Sequence, residues 1–311
     1  MSNRATRTAE RMEPPFDLEV LVIGEALIDI VDTGTEVTEH VGGSPANVAL
    51  GLGRLGVSVG LLTHLADDAR GRKIVGHLTA SGVHTLPESY SARATSTAIA
   101  KIASDGHADY EFDLAWEAAA GPLLDSPPRI VHTGSVAAFM EPGATAVREF
   151  LRRSSAQEIT FDPNIRPALV GSHATALAVF EAVARIATVV KMSDEDAAWL
   201  YPATSADEVL RSVLQLGPRL VAITLGAEGA LVANADNVAH IPAVKVDAVD
   251  TIGAGDTFMA SLILDVLTFG SQGLDDESLE RFGRNAVQSA AMTVSRKGAD
   301  LPWLDDLPGR R

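Results

Sequence analysis

The sequence predicts an α/β protein with a mostly parallel central sheet and a small β addition. Short apolar, β-branched runs alternate with segments of helical period along most of the chain, the mark of βαβ units. Glycine-rich turns in "TLGAEGALV" (224–232) and "DTIGAGDTFMASLI" (250–263) adjoin apolar runs, as at the strand ends where parallel sheets bind ligands. The alternation breaks at "ATSTAIAKIASDGHADYEFDL" (94–114), which reads as two strands around a Ser104-Asp105-Gly106 turn.

Taken in order, "LEVLVIGEALIDIV" (18–31) opens as a buried strand that exits at Gly24. In "GGSPANVALGLGRLG" (42–56), Ser44 suits an N-cap, Pro45 the first helical position and Gly56 a left-handed stop. A strand over 57–66 and a helix over 71–83 follow. Beyond the hairpin come strands at 129–135, 158–164, 188–193 and 220–226, and helices near 143–155, 173–186, 194–200 and 205–216. A hairpin-like segment (229–244) precedes helices near 256–269 and 276–294.

At 311 residues and 46% hydrophobic, the chain can bury a large core. Residues 1–16, polar and ending near Pro14–Pro15, read as a disordered tail, 17–305 as the folded domain and 306–311 as a C-terminal tail. There is no cysteine, which excludes disulfides and thiolate metal sites. No apolar stretch predicts a membrane span, and no apolar leader is present, so a cytoplasmic protein is expected. The formal net charge of -16 opposes non-specific nucleic-acid binding but permits an anion held locally by backbone amides.

The run 250–263 carries the chemistry. Gly253 and Gly255 let backbone approach a ligand closely, and a helix start offers unpaired amides to an anion. Asp256 would repel a phosphate but could accept a proton from a hydroxyl that attacks phosphorus. The stretch alone reads more readily as a simple cap at Asp256 and a plain turn at Gly253–Gly255. Thr224, Gly226 and Gly229 would serve an extended anion, or form only a hairpin turn. Gly51-Leu52-Gly53-Arg54-Leu55-Gly56 matches G-x-G-x-x-G, but it lies late in a helix rather than between strand and helix, so a dinucleotide site is rejected.

Together "GGSPANVALGLGRLG" and "VDTIGAGDTFMASLI" resemble the two signatures of the ribokinase, or PfkB-type, sugar kinases, with similarity from about 18 to 303. The resemblance implies a ribokinase-like three-layer sandwich, with a β lid from about 33–41 and 94–116 closing over a sugar. It also implies ATP and Mg²⁺ as cofactors. Asp256 matches the catalytic base, and the 253–256 backbone, Gly253, Ala254 and Gly255 included, matches the anion hole. Asp29, Gly42, Gly43 and Asn47 match the sugar pocket, its hinge glycines included. Arg166 in "FDPNIRPAL" (161–169) resembles the fructokinase D-P-N-x-R segment, where Asp162 and Asn164 would shape the strand end. Lys191 and Ser193 match positions near the ATP phosphates. Asp196 stands where the family carries a Mg²⁺-linked Glu. Asn285 aligns with the adenine pocket. Asp250 and Thr251, with "TVSRKGAD" (293–300), match a monovalent-cation site that would hold K⁺. Family members often form homodimers through the lid.

Within the family, "GEALID", D-P-N-x-R and Lys-x-Ser lean toward fructokinase. 2-Keto-3-deoxygluconate kinase is the nearest alternative, and ribokinase and nucleoside kinase fit less well. A regulator that binds sugar without transferring phosphate is a separate class.

Overall fold

In a computed structural model, residues 17–102, 108–117, 124, 126–307 and 309 are described. The expected tail 1–16, the Ser104-Asp105-Gly106 turn and residues 308, 310 and 311 lie outside them. The chain runs β1 (Val20–Ile23), β2 (Leu27–Asp32), β3 (Val37–Gly42), α1 (Ser44–Arg54), β4 (Val59–Leu62), α2 (Ala69–Thr79) and β5 (Val83–Thr85). It continues through β6 (Thr97–Ile102), β7 (Ala108–Asp113), β8 (Ile130–Gly134), α3 (Ser135–Phe139), α4 (Gly143–Arg153) and β9 (Glu158–Asp162). Then come α5 (His173–Ala184), β10 (Val189–Ser193), α6 (Asp194–Leu200), α7 (Ala206–Leu216) and β11 (Leu220–Thr224). The last elements are β12 (Ala230–Ala233), β13 (Val238–Ile241), α8 (Ala254–Phe269) and α9 (Asp276–Val294).

The large sheet has the order β13-β12-β11-β10-β9-β8-β1-β4-β5. Its strands from β11 to β5 are parallel, and β12 and β13 add an antiparallel edge. Strand alternation sends Val20 and Val22 to one face and Leu21 and Ile23 to the other. The first face packs on α1, α8 and α9 through Leu52, Phe258 and Phe282. The second packs on α4, α5 and α7 through Val147, Phe180 and Val209. Both faces are covered, so the strands read as continuous apolar runs rather than as alternating ones. Full burial of a side chain such as Phe282 contributes about 1.5–3 kcal/mol.

Gly51 and Gly53 serve packing, while Gly56, at φ 83° with open space around it, is the left-handed stop after α1. A Cβ on Gly51 would come within 2.9 Å of Ala260 Cβ and 2.6 Å of Leu301 Cδ2, so their absence lets α1 lie close on α8. This is the reason a G-x-G-x-x-G pattern occurs here without a dinucleotide.

The small sheet, β3-β2-β6-β7, stands apart. The first strand ends before Gly24 as expected: β1 belongs to the large sheet, and the chain crosses at 24–26 into β2 of the small one. The small sheet therefore contains β2 as well as the expected segments. The first helix is capped by Gly43, not by Ser44, which is already helical. The edge strand β5 and the short α3 went unread, being too brief for a periodic pattern.

Candidate active site

A cleft of about 720 Å³ lies where the parallel strands of the large sheet end and the small sheet overhangs them. Its residues come from far apart in sequence. Asp29 is on β2, Asn47 on α1, Asp162 ends β9, Lys191 is midway along β10, Thr224 ends β11, and Asp256 is in the first turn of α8.

At α8 the chain turns through Gly253, whose φ of 81° is the left-handed region that glycine enters freely. A side chain there would also meet Ala299. The first helical bond runs from Thr257 N to Gly253 O at 2.8 Å, and Ala254 N donates back to Thr251 O at 3.2 Å. The amides of Gly255 and Asp256, in the first turn and at the cleft, precede the first helical hydrogen bond and so have no acceptor within the helix. Gly253 supplies the turn, and Ala254 lies outside the cleft lining.

Asp256 is buried at 9% exposure, with both carboxylate oxygens engaged. Ser44 Oγ donates to Oδ1 at 2.7 Å and Asn47 Nδ2 to Oδ2 at 2.8 Å. Burial raises its pKa, while these two bonds and the charges of Lys191 and Arg166 pull it back. The result is a carboxylate fixed in orientation and more basic than one in water, as a general base requires.

Behind this helix start sits Lys191, 4% exposed, with Nζ 2.9 Å from Asp162 Oδ2. A Cβ on Gly255 would fall 3.0 Å from Nζ, so the glycine lets the ammonium stand against the helix start. Burial pushes the Lys191 pKa down, but Asp162, Asp196 and Asp256 outweigh it and hold the ammonium above its ordinary value. Asp162 is pushed up to about 6 by burial, against the pull of Lys191. Its Oδ1 is buried with no protein partner. At neutral pH the pair is ionised.

The acceptor end is looser. Asp29 is exposed, yet low enough in the cleft for partial desolvation to raise its pKa against His40 and Arg166. Gly42 faces it on β3, and a Cβ there would collide with Asp29 Oδ2. Arg166 is exposed and bonded to Asn164 Oδ1 at 2.7 Å, with its charge felt at Asp29 and Asp256.

The other expected residues divide. Gly43, Ser193, Thr224, Gly226 and Thr251 line the cleft. Gly229 does not: it turns β11 into β12, and a Cβ there would meet Ile241 O. Asn285 is also outside, its amide donating to Asp265 between α9 and α8 at 3.1 and 3.2 Å. Asp250 accepts from Ile252 N and Gly298 N, binding two loops together. Asp196 lines the cleft, but its oxygens accept from Ile165 N at 2.7 Å and Ser193 N at 3.0 Å, the latter as a capping box. Among the described residues no cluster of three or more acids or histidines forms a metal cage.

Sequence reasoning overlooked Ser44 and underused Asp162. Ser44 and Asn47 are three residues apart on a helix and so share a face. A lysine in the apolar run "TVVKMS" also signals a buried cation in need of an anion.

Comparisons with known proteins bear on the family and the fold. Residues 17–306 match the pfkB family carbohydrate kinase. A fructokinase of Rhizobium leguminosarum bv. trifolii is 34% identical over 280 residues, covering 84% of this chain and 85% of the relative. An uncharacterized sugar kinase from Pyrococcus horikoshii, solved in complex with ATP, superposes with a TM-score of 0.78 at 29% identity, over 93% of this chain and 96% of that one. Aminoimidazole riboside kinase from Salmonella enterica, complexed with aminoimidazole riboside and an ATP analog, gives 0.77 at 28% identity, over 93% and 98%. The ribokinase-like sandwich expected from the signatures is the fold observed. With its two signatures, its fold and its buried acid at a glycine-led helix start, the chain belongs to the PfkB family of carbohydrate kinases.

Proposed function

We propose that this kinase transfers the γ-phosphoryl group of ATP to a hydroxyl of fructose. The observation that carries the reading is the coincidence at one helix start of a fixed, buried carboxylate, Asp256, and unpaired amides at Gly255 and Asp256. The fructose hydroxyl donates its proton to Asp256 as its oxygen attacks the γ-phosphorus, and the bond to the ADP oxygen breaks. The amides and the Lys191 ammonium stabilise the charge on the transferring group. Asp29 and Asn47 orient the sugar, carboxylate and amide between them accepting from and donating to neighbouring hydroxyls.

Thr224, Gly226 and Ser193 line the nucleotide side. Mg²⁺ would lie with the ATP phosphates and neutralise their charge. Asp162 Oδ1, buried without a partner, and Asp196 are the acids able to hold it, through its bound water. A K⁺ ion at Asp250 and Thr251 would reinforce the anion hole. The small sheet is the lid, whose closure excludes water as a competing acceptor. Among the described residues no helix is long and apolar enough to cross a membrane. The family resemblance supports a cytoplasmic enzyme that forms a homodimer through the lid.

The 34% identical fructokinase supports fructose. The exposed guanidinium of Arg166 at the acceptor end favours a second reading, a sugar acid such as 2-keto-3-deoxygluconate. ADP release measured across fructose, 2-keto-3-deoxygluconate, ribose, aminoimidazole riboside and adenosine tests both. The highest kcat/KM on fructose is expected; a higher value on the sugar acid replaces the first reading by the second. Sugar binding without turnover on any acceptor would instead make the protein a sensor.

A further inference from the structure

Four chain crossings join the lid to the body, before β2, after β3, before β6 and after β7, and two of them are fastened to the same residue. The entering crossing, 24–26, carries Glu25, whose Oε2 accepts from Ala137 N at 3.1 Å. The leaving segment after β7 carries Trp116, whose Nε1 donates to Ala137 O at 3.1 Å. Ala137 thus holds one of the two by its amide and the other by its carbonyl. It lies in α3, which begins at Ser135 in the left-handed region, φ 51°, an uncommon state for serine. Ser135 also bonds the Glu25 carboxyl.

Glu25 is only 6% exposed, yet it lines the cleft together with Ser135 and Val136. The return crossing rests on its backbone: Gly43 has φ 104°, and a Cβ there would stand 2.5 Å from Glu25 O. Burial pushes the Glu25 pKa up to about 7. Such a carboxyl costs stability, and an apolar side chain would pack at the crossing without that cost.

We propose that Glu25 is a positioning residue for acceptor binding: with Trp116 it fastens two of the lid's four crossings to the buried Ala137 of α3, next to the cleft-lining Ser135 and Val136, and so sets where Asp29, on the strand that Glu25 leads into, meets the sugar. The proposal rests on the sugar-kinase reading of the cleft. It separates two halves of the site. The nucleotide half is built on β10, β11 and α8, whereas Asp29 in the acceptor half lies on β2, the strand that follows Glu25.

The test is steady-state kinetics of the full chain with ATP and whichever of fructose, 2-keto-3-deoxygluconate and ribose the wild type phosphorylates. Choosing the acceptor on wild type keeps a wrong sugar assignment apart from a wrong role for Glu25. Glu25→Ala should raise the acceptor KM by about tenfold or more, with the ATP KM within about twofold. Glu25→Gln, which still offers an oxygen to Ala137 N, should recover most of that loss. Trp116→Phe, which keeps the ring and loses the donor, should show the same split at smaller size. If Glu25→Ala does not fold, Glu25→Asp, one methylene short of Ala137, must show the split instead. Equal rises in both KM values, an unchanged acceptor KM, or a Gln variant no better than Ala overturns the proposal.

Discussion

The two ends of the cleft are built differently. At the α8 end, Asp256, Lys191 and Asp162 are buried and joined to partners at 2.7–2.9 Å. At the acceptor end, Asp29 and Arg166 are exposed, and Arg166 is held only by its own strand-end loop. Phosphoryl transfer is the same step whatever the sugar, so its groups gain from being fixed in advance. Of the groups proposed to recognise the acceptor, Asp29 sits on the separate small sheet and Arg166 on the loop after β9. The contrast accounts for one fold supporting both fructokinase and aminoimidazole riboside kinase names among relatives of this chain.

The first way to break the comparison is at its fixed end. Asp256→Asn should lower kcat by about 10²–10⁴-fold with sugar binding retained, measured by turnover and calorimetry. Lys191→Met comes next. It leaves the buried Asp162 without its countercharge, and loss of one partner of a buried pair costs about 3–5 kcal/mol. Urea unfolding at neutral pH reads the loss, and Lys191→Met with Asp162→Asn should recover part of it.

Asp162 itself gives a pH signature. Its folded pKa is raised, from 3.8 to about 6, so the stability it contributes is complete below 3.8 and is lost as pH rises through about 6. The unfolding free energy of Asp162→Asn, taken relative to wild type, should therefore improve across that window. A flat difference would mean that the acid is not desolvated.

Smaller effects belong to the tuning contacts. Ser44→Ala removes one donor from Asp256, so the base should titrate higher and the acid limb of the kcat profile move to higher pH. At the open end, Asp29→Asn should raise the sugar KM and leave the ATP KM unchanged. An equal change in both would show that the ends are not independent.

The fixed end was also the more legible in sequence. A glycine turn with an acid before an apolar run states its geometry locally, and α8 begins where the pattern placed it, within two residues. The bond from Ser44 to Asp256 spans 212 positions and has no local trace, so Ser44 was read as a cap. Lys191 could be assigned to the phosphates by family likeness, but its partner Asp162 emerges only when β9 and β10 lie side by side. The lid was partly hidden for a related reason. The sequence marks the exit of β1 at Gly24, but only the pairing of β1 with β4 and β8, and of β2 with β3 and β6, shows that the chain changes sheets there. Asn285 shows the opposite failure: an aligned position whose amide is spent on Asp265.

The most direct test is a crystal structure with fructose and a non-hydrolysable ATP analogue bound together in the closed enzyme. The account predicts an Asp256 oxygen within about 3 Å of the attacking hydroxyl and a γ-phosphate oxygen on the amides of Gly255 and Asp256. A closed complex in which Asp256 still touches only Ser44 and Asn47, with the reacting hydroxyl facing another base, would contradict it.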